Sequence, residues 1–206
     1  MILIGRLLSP FVRRTQVSLN VLGFECQRNP LGTATDSAAI GELNPLRRVP
    51  ALVLDDGEVL IDSIAILDYL DELVGPGRAL LPAAGSERRK AQRLLSLAVG
   101  AAEKTVVAHY EKSRRPEDRF WDQWFDAALG QALSGMAALE AAAPGDGGWL
   151  AGSDMSQVDI TTAVVYEFIN IVLPGQIDEN DFPRLKAIAR RMNELEAFSS
   201  THPSVE

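Results

Sequence analysis

The stretch NPLRRVPAL at residues 44–52, followed ten residues later by DSIAI at residues 62–66, carries the most structural information in this chain. Pro50 opens a short apolar run typical of a β-strand, where a proline is tolerated because no ladder N–H is lost. X-Pro bonds reach the cis form at a cost of only about 0.5–1 kcal/mol, so this bend can hold a cis proline. The Asp62-Ser63 pair opens a helical run. A rigid bend and a helix N-terminus thus lie one hairpin apart, and both can hold a peptide-like anion through backbone groups.

The elements around this stretch follow from hydrophobic periodicity and turn residues. Gly23 suits a helix C-cap, and Asp55-Asp56-Gly57 supplies the positive-φ positions of a tight hairpin. We predict the order βαβαββα, with strands at 2–5, 24–28, 51–54 and 59–61 and helices at 10–23, 35–43 and 62–73.

The β pattern disappears after GPGRALLP at residues 75–82, a stretch dense in glycine and proline that we interpret as an inter-domain linker. Alanine-rich segments with helical periodicity follow it. Ser156 and Asp159 have the spacing of a capping box at the start of one helix. The sequence therefore predicts an α/β domain over residues 1–76 and an all-α domain over residues 87–206, with helices at 87–112, at 117–142, from 156 onward and at 183–195.

Composition and charge argue against several classes of partner. The net charge of −8 disfavours nucleic acid, whose phosphates need a concentrated basic face. Cys26 is the only cysteine, and His109 and His202 lie far apart in the sequence, so we expect neither a disulfide nor a metal site. No apolar stretch approaches the ~20 residues that a membrane-spanning helix needs. We expect a cytoplasmic protein that binds neither nucleic acid nor membrane.

Four motifs together resemble the cytosolic glutathione transferase family. They are SPFVRR at 9–14, NP at 44–45 with RVP at 48–50, DS at 62–63 with AI at 65–66, and SQVD at 156–159. The form is serine-type, with Ser-Pro-Phe where related sequences carry Cys-Pro-Phe. The resemblance implies a thioredoxin-like N-terminal domain, a helical C-terminal domain that lines the second-substrate pocket, glutathione as co-substrate, and a homodimer.

The resemblance also implies a role for each matching residue of the glutathione site. Ser9 falls where the family places the residue that contacts the glutathione sulfur. The backbone of Val49, with Pro50 as the cis proline, would pair with the cysteinyl part. The other implied contacts are Phe11, Arg48 for the glycyl carboxylate, Asp62 for the ammonium, and Ser63 for the γ-glutamyl carboxylate.

The chemistry of the tripeptide agrees with this assignment, because its carboxylates and ammonium need a cation, a helix N-terminus and an acid. A free thiol has a pKa of about 8.5, and lowering this pKa by ~2 units takes about 2.7 kcal/mol of thiolate stabilisation. A serine hydroxyl just before a helix N-terminus provides part of this, with Ser9 as a donor and not a nucleophile. Ser9 is also open to a plainer interpretation as a helix N-cap. Arg13, one turn away, either lies at the surface or tunes the thiolate.

The predicted activity is that of a glutathione transferase that directs the thiolate at a small hydrophobic electrophile. Tyr110 and Trp121 are candidate substrate-binding residues, although aromatics at helical spacing more often belong to a core. A glutathione-dependent isomerase or dehalogenase stays open, although the maleylacetoacetate isomerase branch typically shows Ser-Ser-Cys where Leu7-Leu8-Ser9 stands. A non-catalytic module of the same fold, which binds ligands or proteins, is the third alternative. The sequence does not identify the electrophile.

Overall fold

The computed structural model describes residues 1–145, 147–178 and 180–205. In chain order its strands and helices are β1 (Ile2–Ile4), α1 (Pro10–Leu22), β2 (Gln27–Asn29), α2 (Ser37–Leu43), β3 (Ala51–Val53), β4 (Val59–Leu60), α3 (Ser63–Val74), α4 (Gly85–Arg114), α5 (Asp122–Ala142), α6 (Gln157–Val172), α7 (Pro183–Asn193) and α8 (Glu196–Ser199). Short 3₁₀ turns lie at Glu117–Arg119 and Pro203–Val205. The predicted order βαβαββα, followed by helices, is confirmed.

The described residues separate into two compact units. The first contains residues 1–83 together with 192–205, and the second contains residues 84–191. This division differs from the predicted domains at 1–76 and 87–206, because the C-terminal segment packs within the first unit. Asn20 Nδ2 donates to the carbonyl of Ala197 at 3.0 Å. The Arg13 guanidinium lies 4.5 Å from the centroid of the Phe198 ring.

The sheet of the first unit is mixed, with strand order β2-β1-β3-β4. β1 is parallel to β2 and antiparallel to β3, which in turn is antiparallel to β4. Ile4 pairs with Asn29 and Ala51, and Leu60 pairs with Leu52. The ends of β1, β2 and β4 and the start of β3 therefore lie at one edge, which we call the upper edge of the sheet.

The core of the first unit lies between the sheet and the helices α1 and α3, which contact each other. Leu52 of β3 is fully buried, as are Ile66 and Leu70 of α3. Burying a side chain of this size contributes about 1.5–3 kcal/mol. The apolar face predicted for the helix at 62–73 thus holds that helix against the sheet and fixes the position of its N-terminus.

The ends of α1 follow from residues that favour helix termini. Pro10 occupies the first turn, where its missing N–H is not needed. Gly23 has φ +79°, and the Phe24 amide donates to the carbonyl of Leu19 at 2.9 Å. Because this amide closes the helix, β2 begins at Gln27 and not at residue 24 as predicted.

The second unit is helical, and α4 packs against both α5 and α6. Gly135 lets α5 approach α4 closely, since a Cβ there would lie 3.3 Å from the Cβ of Ala101. Part of the core consists of Ala108, Leu129 and Leu173. No helix among the described residues combines the length and the apolar character needed to cross a membrane.

Candidate active site

Three of the predicted site elements emerge at the upper edge of the sheet. Ser9 follows β1, the pair Val49-Pro50 precedes β3, and the pair Asp62-Ser63 follows β4. The strand register places all of these chain segments at the same edge. The structure therefore brings together the residues predicted to contact the sulfur, the cysteinyl backbone and the γ-glutamyl end.

Ser9 is half-buried and forms the N-cap of α1. Its Oγ accepts a hydrogen bond from the Val12 amide at 3.4 Å, and its own amide donates to the Arg6 carbonyl at 3.0 Å. The plainer interpretation as a helix cap is therefore observed. A serine hydroxyl carries a donor proton as well as two acceptor positions, so capping and thiolate binding are compatible. Phe11 is half-buried in the first turn of the same helix.

A glycine that the sequence analysis missed brings the proline bend close to α1. Gly5 has φ +125°, and a Cβ there would lie 2.6 Å from Val12 Cγ2 and 2.9 Å from Val49 Cβ. Only a residue without a side chain fits this position. The bond between Val49 and Pro50 is cis, as the sequence predicts. The sequence signal for Gly5 is its position directly after a short apolar strand, where a glycine often marks a turn or a close backbone approach.

The turn that carries Arg48 is braced by Asn44, which is 2% exposed. The Asn44 Nδ2 donates to the Arg48 carbonyl at 2.9 Å, and its Oδ1 accepts from the Leu46 amide at 3.0 Å. The Arg48 side chain is exposed. A braced backbone with an exposed guanidinium suits the predicted contact with a carboxylate.

The N-terminus of α3 carries polar side chains and lies near the buried positive charge of Arg14. Asp62 is exposed, and its Oδ1 accepts from the Ile64 amide at 2.8 Å, whereas Ser63 is almost fully buried. Arg14 is buried beneath this region, and burial lowers the pKa of its guanidinium to about 10 while the Asp62 carboxylate opposes the shift. Arg14 Nε and Nη1 find no hydrogen-bond partner within the described residues. The helix end and the buried cation both favour an anion here.

Arg13 has a packing role that the sequence did not indicate. It is 2% exposed, and its Nε donates to Thr201 Oγ1 at 3.3 Å. Its guanidinium also covers the Phe198 ring. These contacts hold the C-terminal segment to α1 and give no support to the suggestion that Arg13 tunes a thiolate.

Tyr110 and Trp121 lie in the second unit, and Glu111, the residue after Tyr110, links the two segments by a hydrogen bond. The Trp121 amide donates to Glu111 Oε1 at 3.0 Å. Both aromatic side chains are exposed; the Arg114 guanidinium covers the Tyr110 ring at 3.6 Å, and Trp121 stacks on Trp124. They are therefore not core residues, and their contact with a second substrate stays a prediction.

The chain's own thiol is poorly placed for catalysis. Burial raises the pKa of the Cys26 thiol, and its Sγ donates to the Gln27 carbonyl at 3.3 Å. A thiol with a raised pKa is a weak nucleophile at neutral pH. In residues 1–145, 147–178 and 180–205, no group of three or more His, Cys, Asp or Glu side chains is placed to hold a metal ion. A reactive thiolate at this site would have to belong to a bound molecule.

Two family models match the chain. The glutathione S-transferase N-terminal domain matches residues 3–78, and the glutathione S-transferase C-terminal domain matches residues 122–191. The matched regions agree with the thioredoxin-like sheet and the helical second unit. The serine-type motif at residues 9–11 stays a prediction.

Comparison with individual proteins gives the same family. A glutathione transferase family member from Pseudomonas fluorescens Pf-5, solved with bound glutathione, is 31% identical, with 98% of each chain covered and a TM-score of 0.87. The maleylacetoacetate isomerase of Pseudomonas aeruginosa is 28% identical over 93% of this chain and 90% of its own length. The uncharacterised GST-like protein YibF of Escherichia coli is 26% identical over 98% of both. The chain belongs to the glutathione transferase family.

Proposed function

We propose that this chain binds glutathione at the upper edge of the sheet and that Ser9 stabilises the glutathione thiolate there. The proposal depends on one observation: a half-buried serine at a helix N-terminus, a cis Val49–Pro50 bond and the N-terminus of α3 converge at a single sheet edge. The relative from Pseudomonas fluorescens binds glutathione, which supports the same ligand here.

The charges of the site match those of the tripeptide. The Val49 backbone pairs with the cysteinyl part, and Arg48 binds the glycyl carboxylate. Ser63 and the α3 amides bind the γ-glutamyl carboxylate, with Arg14 adding positive potential from below. Asp62 pairs with the ammonium, and Phe11 contributes from the first turn of α1.

The proposed reaction transfers glutathione, through its sulfur, to a small electrophile. The thiolate sulfur forms a bond to an electrophilic carbon, the leaving group departs with the electrons of the broken bond, and the thiol proton passes to solvent. Ser9 donates a hydrogen bond to the sulfur and so lowers the free energy of the thiolate. Tyr110 and Trp121 as wall residues, and a homodimer as the assembly, belong to the same proposal.

A glutathione-dependent cis–trans isomerase is the second candidate function, favoured by relatives named maleylacetoacetate isomerase. An isomerase adds the thiolate to a carbon–carbon double bond and later expels it, so that glutathione is regenerated. A transferase consumes one thiol for each product. Titration of free thiol during turnover of maleylacetoacetate and of chlorodinitrobenzene separates these two reactions.

Replacement of Ser9 tests the mechanism. Ser9→Gly separates catalysis from folding better than Ser9→Ala, because glycine at an N-cap lowers helix stability by only roughly a few tenths of a kcal/mol. We expect both variants to lower kcat/KM ~10²-fold and to raise the pKa of bound glutathione toward about 8.5, since the donor to the sulfur is gone. The pKa is measured from the ultraviolet absorbance of the thiolate against pH.

Ser9→Thr is the matched control, because it keeps the hydroxyl and should retain most of the activity. Thermal unfolding of each variant checks that the helix cap is not the cause of any loss. Unchanged turnover in Ser9→Gly would remove Ser9 from the mechanism. A wild-type chain that binds glutathione without lowering its thiol pKa would be a non-catalytic binding module.

A further inference from the structure

Glu111 is a buried acid at the end of α4 that the proposed mechanism does not use. It is 4% exposed, although the eight residues that follow it, from Lys112 to Arg119, are all exposed. Acidic side chains are almost never fully buried unless they are paired. The position also opposes the dipole of α4, because the last turn of a helix carries partial negative charge. An acid that is unfavourable for its own helix is expected to make compensating contacts outside that helix.

The Glu111 carboxylate contacts both ends of the connection between α4 and α5. Its Oε1 lies 2.7 Å from the Nε of Arg115, the first residue after α4, and forms an ion pair with it. The same Oε1 accepts a hydrogen bond from the amide of Trp121, the residue directly before α5, at 3.0 Å. One side-chain oxygen therefore closes residues 115–121 into a loop.

The start of α5 depends on this contact with α4. Trp121 occupies the N-cap position of α5, where Ser, Thr, Asp and Asn are preferred, and its side chain makes no capping hydrogen bond. The Glu111 carboxylate lies at this end of α5, where the helix dipole favours a negative charge. The acid that is unfavourable for α4 is therefore favourable for α5.

The contacts within the connection are local. The Arg119 amide donates to the Pro116 carbonyl at 2.9 Å, and the Phe120 amide donates to the Glu117 carbonyl at 3.2 Å. The ring of Phe120 lies 5.6 Å from that of Phe125, measured between centroids. These contacts shape the 3₁₀ turn and join it to α5, whereas the contact with Glu111 joins the connection to α4.

Glu111 thereby fixes the backbone of a large exposed aromatic residue. Trp121 is 57% exposed, and its ring stacks on that of Trp124 with centroids 6.2 Å apart. An indole that is held at its backbone and packed on a neighbouring ring offers a rigid apolar surface to a ligand. Aromatic contacts of this kind contribute about 0.5–1.5 kcal/mol beyond the area that they bury.

We propose that Glu111 is a positioning residue for the second substrate: by closing the connection between α4 and α5, it holds Trp121 where an apolar electrophile contacts the indole. The assignment rests on the proposed function, because Trp121 meets an electrophile only where glutathione is bound and activated. Glu111 acts through Trp121 and contacts no substrate itself. Its variants should therefore weaken the binding of the electrophile part of a ligand and leave the glutathione part unchanged.

Calorimetry with two ligands measures the electrophile contact without reaction. S-methylglutathione occupies the glutathione site, and S-(2,4-dinitrophenyl)glutathione adds an aromatic ring at the sulfur. We expect the ring to lower the wild-type Kd ~10-fold. Glu111→Ala should lose most of this gain, because the Trp121 amide loses its acceptor, and Trp121→Ala should lose it as well. The Kd of S-methylglutathione should stay within ~2-fold of wild type in both variants.

Glutamine variants separate the two contacts of Glu111. Glu111→Gln keeps an acceptor for the Trp121 amide but removes the charge that pairs with Arg115, so it should keep part of the gain from the ring. Arg115→Gln should match Glu111→Gln, and the double variant should lose no more than either single variant, because the two residues form one pair. Glu103→Ala, at an exposed acid of α4, is the control and should bind both ligands as the wild type does.

Limited proteolysis with trypsin measures the closure of the connection directly. Arg119 lies in this exposed segment, and cleavage of a native chain requires the segment to open. We expect Glu111→Ala to be cut after Arg119 ~10-fold faster than the wild type or Glu103→Ala, as the loss of a charged hydrogen bond allows. Mass spectrometry identifies the site. Faster cleavage spread over the whole chain would show global destabilisation and would overturn the assignment.

The outcomes separate this inference from the proposed function. A wild-type chain that binds S-methylglutathione but gains nothing from the dinitrophenyl ring overturns the assignment alone. A full gain in Glu111→Ala overturns it too, and where that variant fails to fold, a full gain in both Glu111→Gln and Trp121→Ala does the same. A wild-type chain that takes up no S-methylglutathione overturns the proposed function, and the role of Glu111 with it.

Discussion

Two helix N-termini of this molecule are built from the same residue types but differ in exposure. At α3, Asp62 is exposed, and its carboxylate accepts from the Ile64 amide at 2.8 Å. At α6, Asp159 is fully buried. Its carboxylate accepts from the Leu150 amide at 2.8 Å, from the Ser156 amide at 2.9 Å and from the Ser156 hydroxyl at 2.7 Å.

The difference shows that a Ser/Asp pattern at a helix start has two uses. The capping box of α6 directs its carboxylate to protein donors, and burial raises the pKa of Asp159. The cap of α3 keeps its carboxylate in contact with solvent, where a ligand's ammonium can reach it. The two caps differ in the position of the aspartate, which is the N-cap of α3 but the third residue of α6, and in its burial, which leaves only Asp62 available for binding. Changes at the two aspartates should therefore have different effects.

Asp159→Ala should produce the largest change, in stability. Removing the carboxylate leaves the Leu150 and Ser156 amides without their acceptor in a buried place, which costs about 1–3 kcal/mol for each group. We expect the free energy of unfolding to fall by about 3 kcal/mol in urea titrations. Asp154→Ala, at an exposed acid nearby, is the control and should stay within about 0.5 kcal/mol of wild type. Equal stability of the two variants would break the comparison.

Asp62→Asn should have an intermediate effect, on binding. Asparagine caps a helix about as well as aspartate, so the free energy of unfolding should stay within about 0.5 kcal/mol of wild type. Loss of the charge should raise the glutathione Kd ~10-fold, or about 1.4 kcal/mol, because the ammonium loses its partner. Calorimetry measures the Kd, with Asp56→Asn in the β3–β4 turn as the control. A shift in stability without a shift in Kd would make both caps structural.

The pH dependence of stability should show the smallest effect. Because burial raises the pKa of Asp159 above its unfolded value of about 3.9, the folded chain holds the proton more tightly. This group's contribution to stability is therefore fully present below about pH 4 and declines as pH rises through the folded pKa. The unfolding free energy of wild type minus that of Asp159→Asn should decrease over this interval. A difference that grows with pH would contradict the assignment.

Much of the first unit could be predicted because its turns and caps are local. Pro10, Gly23 and Pro50 each restrict the backbone at one position, and the strand register then follows from the hydrophobic pattern. The convergence of Ser9 and Asp62 at one sheet edge depends only on strand order. The family that the chain belongs to was recognisable from the same motifs.

The remaining features depend on contacts between distant residues, which no local pattern encodes. Arg13 lies on a helix where a charge usually faces solvent, and its partner Thr201 is 188 residues away along the chain. Arg28 and Pro203 line one cavity although nothing in the sequence relates them. Gly5 resembles any glycine after a strand until the approach of Val49 is known. The roles of Tyr110 and Trp121 depend on a ligand, which helix periodicity does not specify.

The placement of residues 192–205 in the first unit bears on how the protein is made. During synthesis on the ribosome, the βαβαββα segment emerges before the second unit, but the partners of Arg13 and Asn20 are translated only after the second unit. The second unit, which is continuous in sequence, can complete its helices before the first unit has all of its parts. The final packing of the nascent sheet region can therefore form only after the whole second unit has been synthesised.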